Sequence, residues 1–382
     1  MNASSPLRAM LALVATVACA QTPSPLKDSF AGQFLVGAAL NEAHFTEQDA
    51  ATTALISKHF NTITPENALK WEALQPEVDR FDFAAADRFV EFGERHDMFI
   101  IGHTLVWHSQ TPKAVFEENG KPVSREVLLE RMRTHINTVV GRYKGRIKGW
   151  DVVNEALNED GSLRRSPWLK IIGPDYIQKA FEFAHEADPA AELYYNDYSI
   201  ENERKRRGAV KLVKRLQAAG VKITGIGIQG HVKLDWPTLE QLDATLRAFG
   251  KLGVQTMITE LDVDILPGRD GSGSADISLR RASNPALNPY TQGLPSEMQQ
   301  ILAARYSDLF SVYRKHSSSL SRVTFWGVTD GDSWLNGWPI AGRTSHPLLF
   351  DREGNPKPAF QAVIESSESY KAKHPARMKE RK

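Results

Sequence analysis

The amino-acid sequence predicts an α/β protein, a single-domain (β/α)8 TIM barrel. Three observations carry that prediction. Short apolar runs recur eight times, longer amphipathic segments separate them, and no linker divides the chain into two cores. In order, the runs are Phe34–Leu40, Phe60–Thr64, Met98–Thr104, Ile147–Val153, Leu193–Asn196, Thr224–Gln229, Val254–Thr259 and Val323–Trp326. Each is nearly continuous in apolar residues, as strands buried on both faces require.

The intervening segments read as helices. Arg125–Tyr143 sets Val127, Leu128, Met132, Ile136, Val139 and Val140 near a period of 3.6. Arg204–Ala219 repeats the pattern with Val210, Leu212, Val213 and Leu216, and Gly220 closes it as a C-terminal cap. Leu239–Leu252 ends at Gly253 in the same way, and Pro295 opens a helix running to His316. A doubly wound open sheet is the rival fold. It would normally carry a Gly-rich phosphate turn after the first strand, where this chain reads Gly37-Ala38-Ala39-Leu40-Asn41-Glu42. The stretch Pro267–Pro295, rich in Gly, Ser, Asn and Pro, is unusually long for a barrel loop; it either extends or narrows the cleft or is a surface insertion, and the latter is favoured for its Gly/Ser portion.

Composition narrows the function classes. Of 382 residues, 41% are hydrophobic and 24% charged, enough to bury a core. Lys and Arg number 47 against 46 Asp and Glu, so no net basic charge argues for a nucleic-acid partner. The single cysteine, Cys19, leaves no partner for an internal disulfide and no thiolate metal site. No cofactor and no metal are expected: His103 and His108 lack the spacing of a helical zinc pair, and neither HExxH nor GxSxG occurs.

The two ends read as segments outside the fold. Arg8, the apolar run Ala9–Val17 and Ala18-Cys19-Ala20 match an export signal over residues 1–20, with Gln21 opening the mature chain. A secreted or periplasmic protein follows as the expectation. Lipid anchoring at Cys19 is the alternative, which Thr16 and Val17 fit poorly. The apolar run is shorter than the ~20 residues of a membrane span. Residues 21–366 are assigned to the barrel and 367–382 to a basic, solvated tail. A monomer is expected.

Barrels of this type gather their chemistry at the C-terminal ends of the strands. Just past the runs stand Glu66, Asn67, Lys70 and Trp71; His103, Trp107, His108 and Gln110; Asn154 and Glu155; Asn196, Asp197 and Tyr198; Gln229 and His231; Glu260 and Asp262; and Trp326, Asp330, Asp332 and Trp334. Amides and carboxylates bind sugar hydroxyls, and indoles stack on sugar rings. Glu155 and Glu260 each close a buried run, a costly place for a charge that has no task. A pair of such carboxylates can divide the roles of glycosidic cleavage. One Glu at a strand end is more often a solvated or ion-paired loop residue. The same chemical mixture at strand end after strand end is not explained that way.

These residues lie in seven stretches: TPENALKW (Thr64–Trp71), GHTLVWHSQTP (Gly102–Pro112), WDVVNEA (Trp150–Ala156), YNDY (Tyr195–Tyr198), GIGIQGH (Gly225–His231), ITELDV (Ile258–Val263) and WGVTDGDSW (Trp326–Trp334). In that order they resemble glycoside hydrolase family 10, the endo-β-1,4-xylanases, over about residues 26 to 366. The resemblance implies endo-hydrolysis of β-1,4-xylosidic linkages by double displacement, with xylan and xylo-oligosaccharides as substrates. It makes Glu155 the acid/base and Glu260 the nucleophile, with the carboxyls held about 5–5.5 Å apart. It gives His231 a hydrogen bond to the nucleophile, with Asp262 orienting the imidazole, and gives Asn154 the sugar 2-hydroxyl. It places His103, Trp107, Gln229, Trp326 and Trp334 around the sugar at the cleavage point. Glu66, Asn67, Lys70 and Gln110 go with the next sugar on the non-reducing side, Tyr198 between the catalytic and leaving-group sides, and Trp334 in the wall near C5. Ser199, where the family often has Asn, departs from the pattern. A β-1,4-glucanase or a mixed xylan/glucan hydrolase is the near alternative. A catalytically silent polysaccharide-binding barrel is the alternative from another class.

Overall fold

The computed structural model describes residues 24–268 and 275–373. The proposed signal, the Gly/Ser stretch 269–274 and the last residues of the tail, 374–382, lie outside them.

Eight parallel strands form the core: β1 (Leu35–Leu40), β2 (Thr62–Pro65), β3 (Phe99–Trp107), β4 (Gly149–Asn154), β5 (Glu192–Asp197), β6 (Gly225–Ile228), β7 (Gln255–Asp264) and β8 (Leu320–Phe325). Each pairs with its neighbour in chain order, and β8 pairs with both β7 and β1, which closes the barrel. The sequence-based fold class therefore holds, and closure removes the edges that an open eight-stranded sheet would expose. Main helices lie between and after the strands: α1 (Ala50–His59), α2 (Ala84–Arg95), α3 (Arg125–Arg142), α4 (Tyr176–Ala187), α5 (Glu203–Ala218), α6 (Leu239–Gly250), α7 (Ser296–Lys315) and α8 (Pro358–Lys373).

The helix ends follow local chemistry. The Ser124 side chain caps α3 by accepting from the Val127 amide, and Thr238 and Gln241 form a reciprocal capping box on α6. Gly220 and Gly253 leave α5 and α6 with φ of 72° and 71°, which a Cβ would disfavour. On α3, Leu128, Met132, Ile136, Val139 and Val140 are buried, but Val127 is exposed. It sits in the first turn, beside the cap and off the apolar stripe. Helix α8 continues to Lys373, past the boundary drawn at 366, and the Ser367 hydroxyl donates to the Ser29 carbonyl at 2.5 Å.

Two strands outrun the apolar runs that predicted them. β3 was expected to stop at Thr104 and β7 at Thr259, but they reach Trp107 and Asp264. Ladder bonds are made by backbone, so polar side chains aimed into the barrel mouth do not end a strand. Val106 pairs with Val153 and Trp107 with Asn154, while a short strand, His231–Lys233, pairs with β7 so that His231 lies opposite Asp262. Among the described residues no helix is long and apolar enough to cross a membrane.

Candidate active site

Two carboxylates define the mouth of the barrel. Glu155 directly follows β4 and is buried at φ 56°, a left-handed conformation costly for a residue with a Cβ. Its amide donates to the Asn196 carbonyl at 2.9 Å. Trp107 Nε1 donates to one carboxyl oxygen at 2.9 Å, and Gln229 Nε2 to the other at 3.0 Å. Burial drives its pKa up to about 7. The bonds from Gln229 and Trp107 oppose that rise, and the charges of Asp197 and Glu260 add to it.

Glu260 lies on β7, equally buried, in the opposite setting. One oxygen accepts from the Asn196 side-chain amide at 2.8 Å, and the other is 3.1 Å from His231 Nε2. Burial works against its charge, but the bond and charge of His231, the charge of His103 and the Asn196 amide prevail, so its pKa falls below the usual value. The other nitrogen of His231 is 2.8 Å from Asp262 Oδ2, which also accepts from Trp334 Nε1 at 2.7 Å. Burial alone would discharge His231, but Asp262 and Glu260 on its two nitrogens lift its pKa to about 9. At neutral pH Glu260 is therefore ionised beside an imidazolium, while Glu155 holds a proton for a large part of the time. Retaining glycosidic cleavage asks for that division between two carboxyls.

All of the sequence-predicted site residues except Gln110 and Tyr198 line one pocket. Gln110 supports it from behind: Lys70 Nζ donates to Gln110 Oε1 at 2.8 Å and to Asn67 Oδ1 at 3.0 Å, and it lies 5.1 Å from the Trp107 ring centroid. Burial lowers the pKa of Lys70 and raises that of Glu66. His103 Nδ1 is 3.0 Å from Asp151 Oδ2, and its ring meets Trp326 edge-on. Trp334 stacks on Trp338 with centroids 4.3 Å apart. Tyr198 stands to one side, its hydroxyl accepting from Arg164 at 2.7 Å and its ring 3.6 Å from Lys205 Nζ. Ser199 has φ 51°, a conformation that Asn tolerates better than Ser.

The structure adds residues that sequence reasoning left without a role. Asn196 Nδ2 donates to Asn154 Oδ1 at 3.0 Å as well as to Glu260, and Thr259 Oγ1 donates to Asn196 Oδ1 at 2.7 Å. It ties the end of β4 to β7; its place in the YNDY stretch was the available signal. His44, from the short helix Glu42–Phe45 after β1, is 3.2 Å from Asp332 on the rim. Ala275 and Ile277 also line the pocket, so the part of the 267–295 loop just past the Gly/Ser stretch shapes the cleft. Trp338 Nε1 pins it by donating to the Asp276 carbonyl at 3.1 Å, and the Arg281 amide does so by donating to the Pro339 carbonyl at 2.9 Å.

Gly227 makes room for this network. A Cβ there would lie 2.3 Å from Asn196 Oδ1 and 2.8 Å from Thr259 Cγ2. Gly227→Ala is expected to destabilise the fold by about 1–3 kcal/mol through overpacking and to lower turnover by turning the Asn196 amide away from Glu260. Thermal unfolding and initial rates check this together; a variant with wild-type values for both refutes it.

A parallel barrel holding a charge-separated pair of carboxyls among amides, imidazoles and indoles defines an enzyme of the glycoside hydrolase class. The model of glycosyl hydrolase family 10 matches residues 25–366, and the chain belongs to that family. It is 48% identical over 355 residues to endo-1,4-beta-xylanase A of Xylanibacter ruminicola, covering 93% of this chain and 96% of the relative. It is 43% identical to an endo-1,4-beta-xylanase of Geobacillus stearothermophilus, covering 91% of this chain and 99% of the relative. A solved structure of a GH10 endoxylanase retrieved from a sugarcane soil metagenome matches with a TM-score of 0.87 at 48% identity, covering 89% of this chain and 99% of that one.

Proposed function

We propose that the chain cleaves internal β-1,4-xylosidic bonds of xylan by double displacement, with Glu260 as nucleophile and Glu155 as acid/base. The observation that carries this reading is the opposite electrostatic setting of the two buried carboxyls in one pocket. In the first step a Glu260 oxygen bonds to the anomeric carbon as the bond to the glycosidic oxygen breaks, and Glu155 gives that oxygen its proton. With Glu260 esterified, its negative charge is gone and Glu155 is the stronger acid for it. Glu155, now ionised, takes a proton from the incoming water, whose oxygen displaces Glu260 and frees the sugar with its configuration retained.

Asn154, held by Asn196, is the partner for the sugar 2-hydroxyl, and the Glu66–Asn67–Lys70–Gln110 group receives the next sugar on the non-reducing side. Trp334, fixed by Asp262 and backed by Trp338, stands as a wall near C5, where a hydroxymethyl group would have to displace a pinned indole. The leader over residues 1–20 supports export of the mature chain from Gln21.

The test is a product profile on glucuronoxylan and, in parallel, on mixed-linkage β-glucan. Early release of mixed xylo-oligosaccharides with little from the glucan is the expected result. Comparable release from glucan overturns the substrate assignment and means the wall at Trp334 is open. No release from either, in folded protein, makes the chain a binding barrel.

A further inference from the structure

Arg164 joins three parts of the rim. Its Nε donates to the Glu155 carbonyl at 3.0 Å, its Nη2 to the Tyr198 hydroxyl at 2.7 Å, and its Nη1 is 3.6 Å from Asp276 Oδ2. The guanidinium is largely buried, with 17% of the side chain exposed. One planar fork thus holds the backbone of the residue after β4, the aromatic residue after β5 and the loop after β7. What it grips at Glu155 matters, because that residue has φ 56° and does not stay there by its own preference. The amide of Glu155 is fixed on one side by the Asn196 carbonyl, and its carbonyl is fixed on the other by Arg164. Asp276 in turn lies between Ala275 and Ile277, which line the pocket.

We infer that Arg164 is a positioning residue for the acid/base, and that the Asp276 contact makes the docking of Ala275–Ile277 set both the wall of the pocket and the alignment of its proton donor. The inference rests on the proposed role of Glu155. A shift of the Glu155 peptide by a fraction of an ångström would swing its carboxyl away from the glycosidic oxygen, and proton transfer is sensitive to such displacement.

Charge supplies a second handle. Glu155 is faced by Asp197 from β5, Glu260 from β7, Tyr198 after β5, Lys70 after β2 and Arg164 itself. Near Arg164 and Asp276 lie His108, which burial keeps neutral with a pKa of about 4, and Lys205, paired with Asp197 at 3.0 Å. Arg164 favours the ionised form of Glu155, and Asp276 offsets part of that field. Removing the cation raises the pH at which Glu155 loses its proton, and removing the Asp276 charge lowers it.

The experiment compares wild type, Arg164→Met, Arg164→Lys and Asp276→Asn in kcat/KM against pH, on xylan and on an activated aryl xylobioside. Arg164→Met is expected to lose about 10- to 100-fold in kcat on xylan and much less on the aryl substrate, whose leaving group needs no proton. Its alkaline limb moves up by a few tenths of a pH unit, and that of Asp276→Asn moves down by a similar amount. Arg164→Lys keeps the limb but loses kcat on xylan, because an ammonium does not span the Glu155 carbonyl and the Tyr198 hydroxyl as a fork does. Limbs that stay put or move the same way, or equal losses on both substrates, overturn the inference. If Arg164→Met does not fold, the other two variants decide it. A wild type inactive on xylan defeats the functional reading instead, and the two failures are told apart by that control.

Discussion

Glu260→Ala is expected to lose turnover on xylan on the order of 10⁵-fold, because a nucleophile and its covalent intermediate vanish together. Sodium azide should restore part of it, giving a glycosyl azide of inverted configuration. The reasoning follows from where Glu260 sits. It is buried and accepts hydrogen bonds from His231 and Asn196, so truncation leaves an anion-sized space lined by an imidazole and an amide that still point into it. Asp262 keeps His231 oriented when Glu260 is gone. A small anion entering that space meets the anomeric carbon from the face the carboxylate used, and Glu155 still assists the leaving group. One displacement in place of two inverts the product. Product configuration is read by nuclear magnetic resonance. Failure of rescue, or an azide of retained configuration, would remove Glu260 from the nucleophile's role.

The barrel was legible in the sequence because a strand buried on both faces favours apolar residues along most of its length, and the eight runs are rich in them. The strand ends were less legible. β3 and β7 run on past the predicted ends through Trp107, Glu260 and Asp262, where side chains serve the cleft and backbone alone maintains the ladder. Much of the pocket was legible too, since closure collects residues just past the strands whatever their separation in the chain. Arg164 and Asp276 were not, because each acts through another residue, and a contact such as Arg164 Nε to the Glu155 carbonyl leaves no mark in composition or spacing; Asn196 was in view in the YNDY stretch, but its bonds to Asn154 and Glu260 were not. The same holds for Ala275 and Ile277. They follow a Gly/Ser stretch that reads as surface, and the contacts that hold them, such as those of Trp338 and Arg164 with Asp276, leave no mark in the sequence. Val127 erred in the other direction: it is apolar, but it falls off the stripe of Leu128, Met132, Ile136, Val139 and Val140 in the capped first turn, where it meets solvent.

Glu155→Ala should divide substrates by leaving group. On xylan the departing sugar oxygen needs a proton, and loss of its donor is expected to cost about 10²- to 10⁴-fold in kcat/KM. The phenolate of an activated aryl xylobioside leaves unaided, so formation of the glycosyl-enzyme is nearly unchanged while its breakdown slows for want of a base. A burst of released phenol followed by a slow steady rate is the signature, and equal losses on the two substrates would refute the acid role. The pH profile carries an independent sign. Burial raises the Glu155 pKa to about 7, so the wild-type kcat/KM on xylan is full below that pH and falls as pH rises through it and the proton leaves. Glu260 must be ionised, and its pKa is lowered, so the acid limb lies below the usual carboxylate range. Removing Glu155 removes the alkaline limb near pH 7 and leaves the acid limb in place. A variant that kept a limb near pH 7 would take that limb away from Glu155, whereas a wild-type limb near pH 9 would point to His231, whose pKa its two carboxylate partners lift to about 9. The wild-type limb therefore tells which of the two buried groups gates the reaction before any residue is changed.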